Sequence, residues 1–145
     1  MTSFRFPLQK VLDWRLTQLN LEEVRYKHQA AALAELDRAR AEIEAAGIKA
    51  EIQVRDWGQL QGRDLAALGS FRLHVKLQEK QIHVRRQECA RILAERQNAM
   101  LEARRRCRLL ERLKEQRLVE WKAACDHEME ELASESYLAQ WKPPV

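Results

Sequence analysis

The chain has 145 residues, of which 46% are hydrophobic and 33% charged, and its 26 Lys and Arg exceed its 22 Asp and Glu by four. This length fits one domain, and this composition excludes a disordered acidic tail. No run of about 18 apolar residues occurs, as a membrane span requires, and the first residues lack the apolar core of a secretory signal peptide. We therefore expect a cytoplasmic protein.

The positions of the helix breakers divide the chain into two arms. Pro7 stands near the start, Pro143 and Pro144 stand near the end, and all four glycines fall between positions 47 and 69. The residues that dominate elsewhere are those with high helix propensity. One domain over 1–145 is predicted, with a helix over about 7–55, a hinge over about 56–69 and a second helix over about 70–141. Within the hinge, Asp64 is expected to cap a short turn that Gly69 closes.

Apolar residues recur along both arms at intervals built from three and four residues, which is the period of one helix face. In the first arm these residues are Leu8, Leu12, Leu16, Leu19, Tyr26, Ala30, Leu33, Leu36 and Ile43. A helix much longer than about 25 residues needs another helix on which to bury such a stripe. The apolar stripes of the two arms can pack on each other. The predicted fold class is therefore all-α, with two long helices that form an antiparallel coiled-coil hairpin.

The second arm is longer than the first, so its end is expected to extend beyond the first arm. The aromatic and aliphatic residues expected to lack a full cover within the chain are Trp121, Tyr137, Leu138 and Trp141. Exposed apolar surface of this kind is typical of sites that contact other proteins. The sequence therefore favours a protein-binding function.

Motifs of catalysis are missing from the sequence. The four histidines form no zinc-binding HExxH motif, and no glycine-rich phosphate loop is present. We therefore expect no enzyme activity, no catalytic or metal-binding residues and no cofactor. Cys89, Cys107 and Cys125 are spaced by 18 residues, which is about five helical turns, and are predicted to serve as small hydrophobes on one face, with a ladder of reactive thiols as the alternative.

Charge is distributed unevenly along the second arm. Residues 72–118 hold 14 basic and 6 acidic side chains, whereas residues 119–145 hold 2 basic and 6 acidic ones. The basic run is either a solvated face or one side of a protein interface. Binding to nucleic acid or an anionic membrane is less favoured, because consecutive arginines point in different directions around a helix, and it would appear as strongly salt-dependent binding.

Two segments are similar to a known family, that of the flagellar export protein FliJ. Residues 4–15 read FRFPLQKVLDWR, which resembles the aromatic-basic-aromatic start of that family followed by Leu-x-x-Val-Leu and a basic residue. Residues 110–121 read LERLKEQRLVEW, which resembles its basic stretch ending in an aromatic after a glutamate, and the acidic EMEELA follows at 128–133. Length and two-arm layout agree with the family. Departures are the four glycines and Trp121, where the family often has tyrosine.

The resemblance implies a stalk of a type III export apparatus, similar in fold to the γ-subunit stalk of rotary ATPases. Its implied partners are the hexameric export ATPase, the cytoplasmic domain of the export gate and export chaperones, but no nucleic acid. Membrane contact would be indirect, at the cytoplasmic side of the inner membrane, and the role would support flagellum assembly, motility and chemotaxis. Residues implied to contact the ATPase ring are Phe4, Phe6, Arg105, Arg108, Arg112, Trp121 and Trp141. Residues implied to contact the gate are Phe71, Val75 and Ile82.

Two alternatives to this function stay open. The stalk protein of a virulence type III secretion system would share the fold and the role, and genomic neighbourhood would separate the two. A structural coiled coil that self-assembles is the other. Its filaments need a continuous register, whereas the predicted seam is interrupted at Gln78, Arg85, Arg96 and Arg117.

Overall fold

The computed structural model describes residues 2–144 and consists of two long helices. Helix α1 spans Gln9–Asp56 with 48 residues, and helix α2 spans Gly62–Gln140 with 79 residues. The two helices pack against each other, and residues 2–144 contain no strand. The predicted all-α hairpin is confirmed.

The connection between the helices is shorter than the sequence predicted. Only residues 57–61 are non-helical, and α2 begins at Gly62 rather than near position 70. Asp64 does act at this helix start, because the backbone N–H of Gln61 donates to its Oδ2 at 3.3 Å, as in a capping box. Gly69 does not close a turn. It lies inside α2 without the positive φ of a helix-ending glycine.

Pairs that join the two helices show their direction within residues 21–100. Glu51 pairs with Arg72 at 2.9 Å, and Asp37 pairs with Arg86 at 2.6 Å. Further along, the Gln29 side-chain amide donates to the backbone carbonyl of Cys89 at 3.3 Å. Positions fall along α1 as they rise along α2, so the helices run antiparallel there.

The chain divides into two compact units, each containing part of both helices. The first unit comprises Met1–Asn20 and Leu101–Val145, and the second comprises Leu21–Met100. We use the word seam for the line along which α1 and α2 pack within a unit. The buried residues are Phe6, Leu12 and Cys107 in the first unit and Ile82 and Cys89 in the second. Over residues 2–144, no helical segment is apolar enough to cross a lipid bilayer.

Candidate partner-binding surface

The N-terminal segment, residues 2–8, packs on α2 in the first unit. The ring of Phe4 lies 5.9 Å from the ring of Trp121 with a tilt of 54° between them, a favourable aromatic geometry. Phe6 is only 8% exposed. The other wall of the groove beside this segment is formed by Leu113, Arg117 and Trp121. Trp121 is therefore half-buried, which agrees with the prediction that it lacks a full cover, although a segment outside the helices covers part of it.

Beyond Cys125, α2 continues without cover from any other part of residues 2–144. Every residue over 126–144 is exposed, and we call this segment the uncovered end. Its large apolar residues are Met129, Leu132, Tyr137, Leu138 and Trp141, each 55–70% exposed. The prediction of exposed aromatics is therefore confirmed for Tyr137 and Trp141, and that of an exposed Leu138 as well.

The apolar residues of the uncovered end continue the seam face of α2. Trp121, Cys125, Met129 and Leu132 follow one another at intervals of four, four and three residues, so they share one side of the helix. Trp121 and Cys125 are half-buried, whereas Met129 and Leu132 are more than half exposed. The apolar face of α2 that is half-buried at Trp121 and Cys125 thus continues, without cover, through Met129 and Leu132.

Carboxylates surround that apolar face. The acidic residues of the uncovered end are Asp126, Glu128, Glu130, Glu131 and Glu135, against one lysine, Lys142. At the start of this segment, His127 Nδ1 lies 3.3 Å from Glu131 Oε1. An apolar helix face with acidic flanks complements a partner groove that is apolar at its base and basic at its rim.

The basic run next to the uncovered end is partly neutralised by its own helix. Arg105 and Arg106 both pair with Glu102, at 3.9 and 3.3 Å. Arg108 and Arg112 are exposed and form no ion pair within residues 2–144. These two side chains therefore keep their charge available for a partner.

The residues assigned to the ATPase ring do not form one cluster. Phe4, Phe6 and Trp121 lie together around the N-terminal segment. Trp141 follows Trp121 by 20 positions, and at 1.5 Å per helical residue it is on the order of 30 Å away. A partner that contacted the whole set would have to cover several turns of α2.

The residues assigned to the export gate lie along the seam of the second unit. Ile82 is only 8% exposed, so little of its side chain is available to a partner while the helices are paired. Phe71 and Val75 are half-buried and line a shallow groove together with Gly47 and Ile48. The apolar side chains exposed nearby are instead Leu73, Leu77 and Val84. Their spacing of four and seven residues marks a second helix face, which our sequence interpretation overlooked.

The cysteines behave as seam residues, as predicted. Cys89 and Cys107 are buried and Cys125 is half-buried. Burial raises the pKa of the Cys107 thiol, the nearby Glu111 carboxylate raises this pKa further, and Arg15 opposes both effects. A buried thiol with a raised pKa is a poor nucleophile, because the thiolate is the reactive form.

We expect Cys125 to react with iodoacetamide at least about tenfold faster than Cys107 at neutral pH, because Cys107 is less accessible and its raised pKa lowers its own thiolate fraction. Peptide mass spectrometry after timed alkylation of the folded protein measures the two rates. In denaturant the rates should become equal. Equal rates in the folded protein would contradict the burial of Cys107.

The fold and these surfaces define a class: an α-helical hairpin with an aromatic cluster at its N-terminal segment and an acidic, uncovered helix end. No group of three or more His, Cys, Asp or Glu side chains within residues 2–144 is arranged to hold a metal ion. Comparison with protein-family models, with curated proteins and with solved structures gives no match. The exposed surfaces and the two segments that resemble the FliJ family are therefore the features that point to a function.

Proposed function

We propose that this chain is the non-enzymatic stalk of a flagellar type III export apparatus, binding the hexameric export ATPase and the cytoplasmic domain of the export gate. The role is positional. A stalk in contact with both partners would couple ATP hydrolysis to the delivery of export substrates, and it would lie at the cytoplasmic side of the inner membrane.

The observation that carries the proposal is the uncovered end of α2. A helix face that exposes Met129 and Leu132 as a continuation of a packed seam is a surface suited to further packing, and acidic flanks suit a basic partner. The central opening of a ring of subunits can supply such a groove on several sides. The FliJ-like segments 4–15 and 110–121 lie in the same unit of the chain as this end.

The N-terminal cluster supports the same proposal in a second way. Phe4 holds the N-terminal segment against Trp121, so two segments distant in sequence pack together within the first unit. Arg108 and Arg112, which form no ion pair within residues 2–144, add cationic contacts for acidic groups of the ring. Aromatic and arginine side chains are the types that most often dominate binding energy.

The experiment is the ATPase activity of the purified export ATPase from the same organism, measured with and without this protein. We expect stimulation by the intact chain and its loss after removal of residues 126–145, a deletion that leaves Phe4, Phe6 and Trp121 in place. The double variant Met129→Ser with Leu132→Ser is expected to raise the concentration for half-maximal stimulation about tenfold or more, as loss of central apolar contacts does.

A matched control comes from the same helical segment. Ser134 lies about 140–160° around the helix from Met129 and Leu132, so Ser134→Ala should leave stimulation unchanged. Circular dichroism should show that every variant keeps its helices. Absence of both stimulation and co-elution with the intact chain would overturn the proposal.

A further inference from the structure

A second row of exposed apolar side chains runs along α2 in the unit formed by Leu21–Met100. Leu73, Leu77 and Val84 are 65%, 59% and 64% exposed. At 100° per residue they lie within about 40° of one another and about 140–180° from the buried Ile82. The row therefore faces away from α1, and helix pairing within the unit does not cover it.

Lys80 belongs to the same row. Positions 73, 77, 80 and 84 are separated by four, three and four residues, the spacing at which one helix packs against another. Lys80 is exposed and forms no ion pair within residues 2–144. We call these four positions the outer row. A helix packed on the outer row would bury the ammonium group of Lys80. This burial is costly unless the packed helix places a carboxylate opposite the ammonium group.

The flanks of the outer row are cationic. Over residues 72–86 there are five Lys and Arg and one acidic residue, Glu79. Arg72 and Arg86 pair with carboxylates of α1. Lys76 and Arg85 form no ion pair within residues 2–144. Beside Val84, a shallow groove is lined by Arg40, Lys76, Glu79, Lys80 and His83.

We propose that the outer row docks an acidic amphipathic helix from another protein. The helix would place apolar residues on Leu73, Leu77 and Val84, a carboxylate opposite Lys80, and further carboxylates near Lys76 and Arg85. Each feature follows from the chemistry of the row, and the proposal does not rest on the export function.

Two other occupants fit the row less well. An anionic membrane would meet only three apolar side chains, and these are interrupted by a lysine and lack the aromatic residues that anchor interfacial helices. A second copy could offer its acidic uncovered end. That contact would join two different surfaces, so unless it closed into a ring it would propagate into open-ended assemblies.

The test uses a fluorescent, stapled helical peptide of about four turns, with leucines and one glutamate on one face and glutamates on both flanks. The control is the same peptide with lysine in place of every glutamate. We expect the intact chain to bind the acidic peptide with a Kd of about 10–100 μM and the lysine peptide at least about tenfold more weakly. Fluorescence anisotropy measures both affinities.

Variants locate the contact. Leu77→Gln should weaken binding of the acidic peptide about tenfold, whereas Leu109→Gln should leave it unchanged, because Leu109 is also exposed and near arginines but lies outside the row. Lys80→Glu should reverse the preference toward the lysine peptide. Thermal unfolding checks that these exposed substitutions leave the hairpin folded.

Three results would each overturn the proposal. The first is equal affinity for the two peptides, or none at about 100 μM. The second is Lys80-dependent binding to vesicles of equal parts phosphatidylcholine and phosphatidylglycerol in place of peptide binding. The third is concentration-dependent self-association, detected by sedimentation, that Leu77→Gln abolishes, since a second copy would then be the occupant.

Discussion

Ile82→Ala is expected to lower the free energy of unfolding by about 2–4 kcal/mol, the usual cost of truncating a buried isoleucine. Ile82 is 8% exposed and lies in the seam of the second unit. The substitution removes three buried carbons and leaves a cavity that two paired helices can only partly close. Urea unfolding followed by circular dichroism measures the change.

The matched control for this variant lies two positions further along the same helix. Val84 is 64% exposed, so Val84→Ala should change the free energy of unfolding by no more than about 0.5 kcal/mol. The pair separates a seam residue from a surface residue on one element. Similar effects of the two substitutions would show that Ile82 is not buried.

Glu22→Leu is expected to raise the free energy of unfolding by about 1–3 kcal/mol. The Glu22 side chain is 17% exposed and its Oε1 lies 3.1 Å from Arg25 Nη1. Its Oε2 is buried and accepts no hydrogen bond within residues 2–144. A buried oxygen without a donor is destabilising, and an apolar side chain of similar size removes this desolvation cost while adding buried area.

An exposed glutamate on the same helix provides the comparison. Glu42 is 73% exposed and lies 4.0 Å from Arg38 Nε, so Glu42→Leu should be close to neutral. Chemical denaturation of the two variants and of the unmodified chain measures the change in the free energy of unfolding for each substitution. Destabilisation by Glu22→Leu would mean that the carboxylate makes interactions that outweigh its desolvation.

The paired helices were predictable because the pattern that specifies them is repeated many times. Apolar residues at helical spacing continue through both arms, and the prolines stand only near the two ends, so no single position decides the outcome. The cysteines followed the same logic. Their spacing placed them on one face, and Cys89 and Cys107 are buried in the seam.

Local details were less predictable because non-local packing decides them. Gly69 is a helix-breaking residue by propensity, at about 1 kcal/mol, yet it lies within α2 because its neighbours continue the helix. The partial cover of Trp121 comes from Phe4, which is distant in sequence. Neither outcome follows from residue spacing in one arm.

Residue spacing also could not tell which apolar residues of α2 are available to a partner. Phe71, Val75 and Ile82 share a helix face, and an apolar face can be a seam or a surface. The structure places Ile82 in the seam and exposes Leu73, Leu77 and Val84 on the opposite side. A second apolar period within one arm was the signal in the sequence that a face other than the seam carries hydrophobic residues.

We expect the end of α2 to be uncovered in the free chain and to become covered in a complex with the export ATPase. Hydrogen–deuterium exchange of the chain alone and with the purified ATPase tests both parts. We expect amides over 126–140 to exchange far faster than those around Ile82 and Cys89 in the free chain, and to become protected in the complex. Protection of 126–140 in the free chain, or no change on addition of the ATPase, would contradict the account.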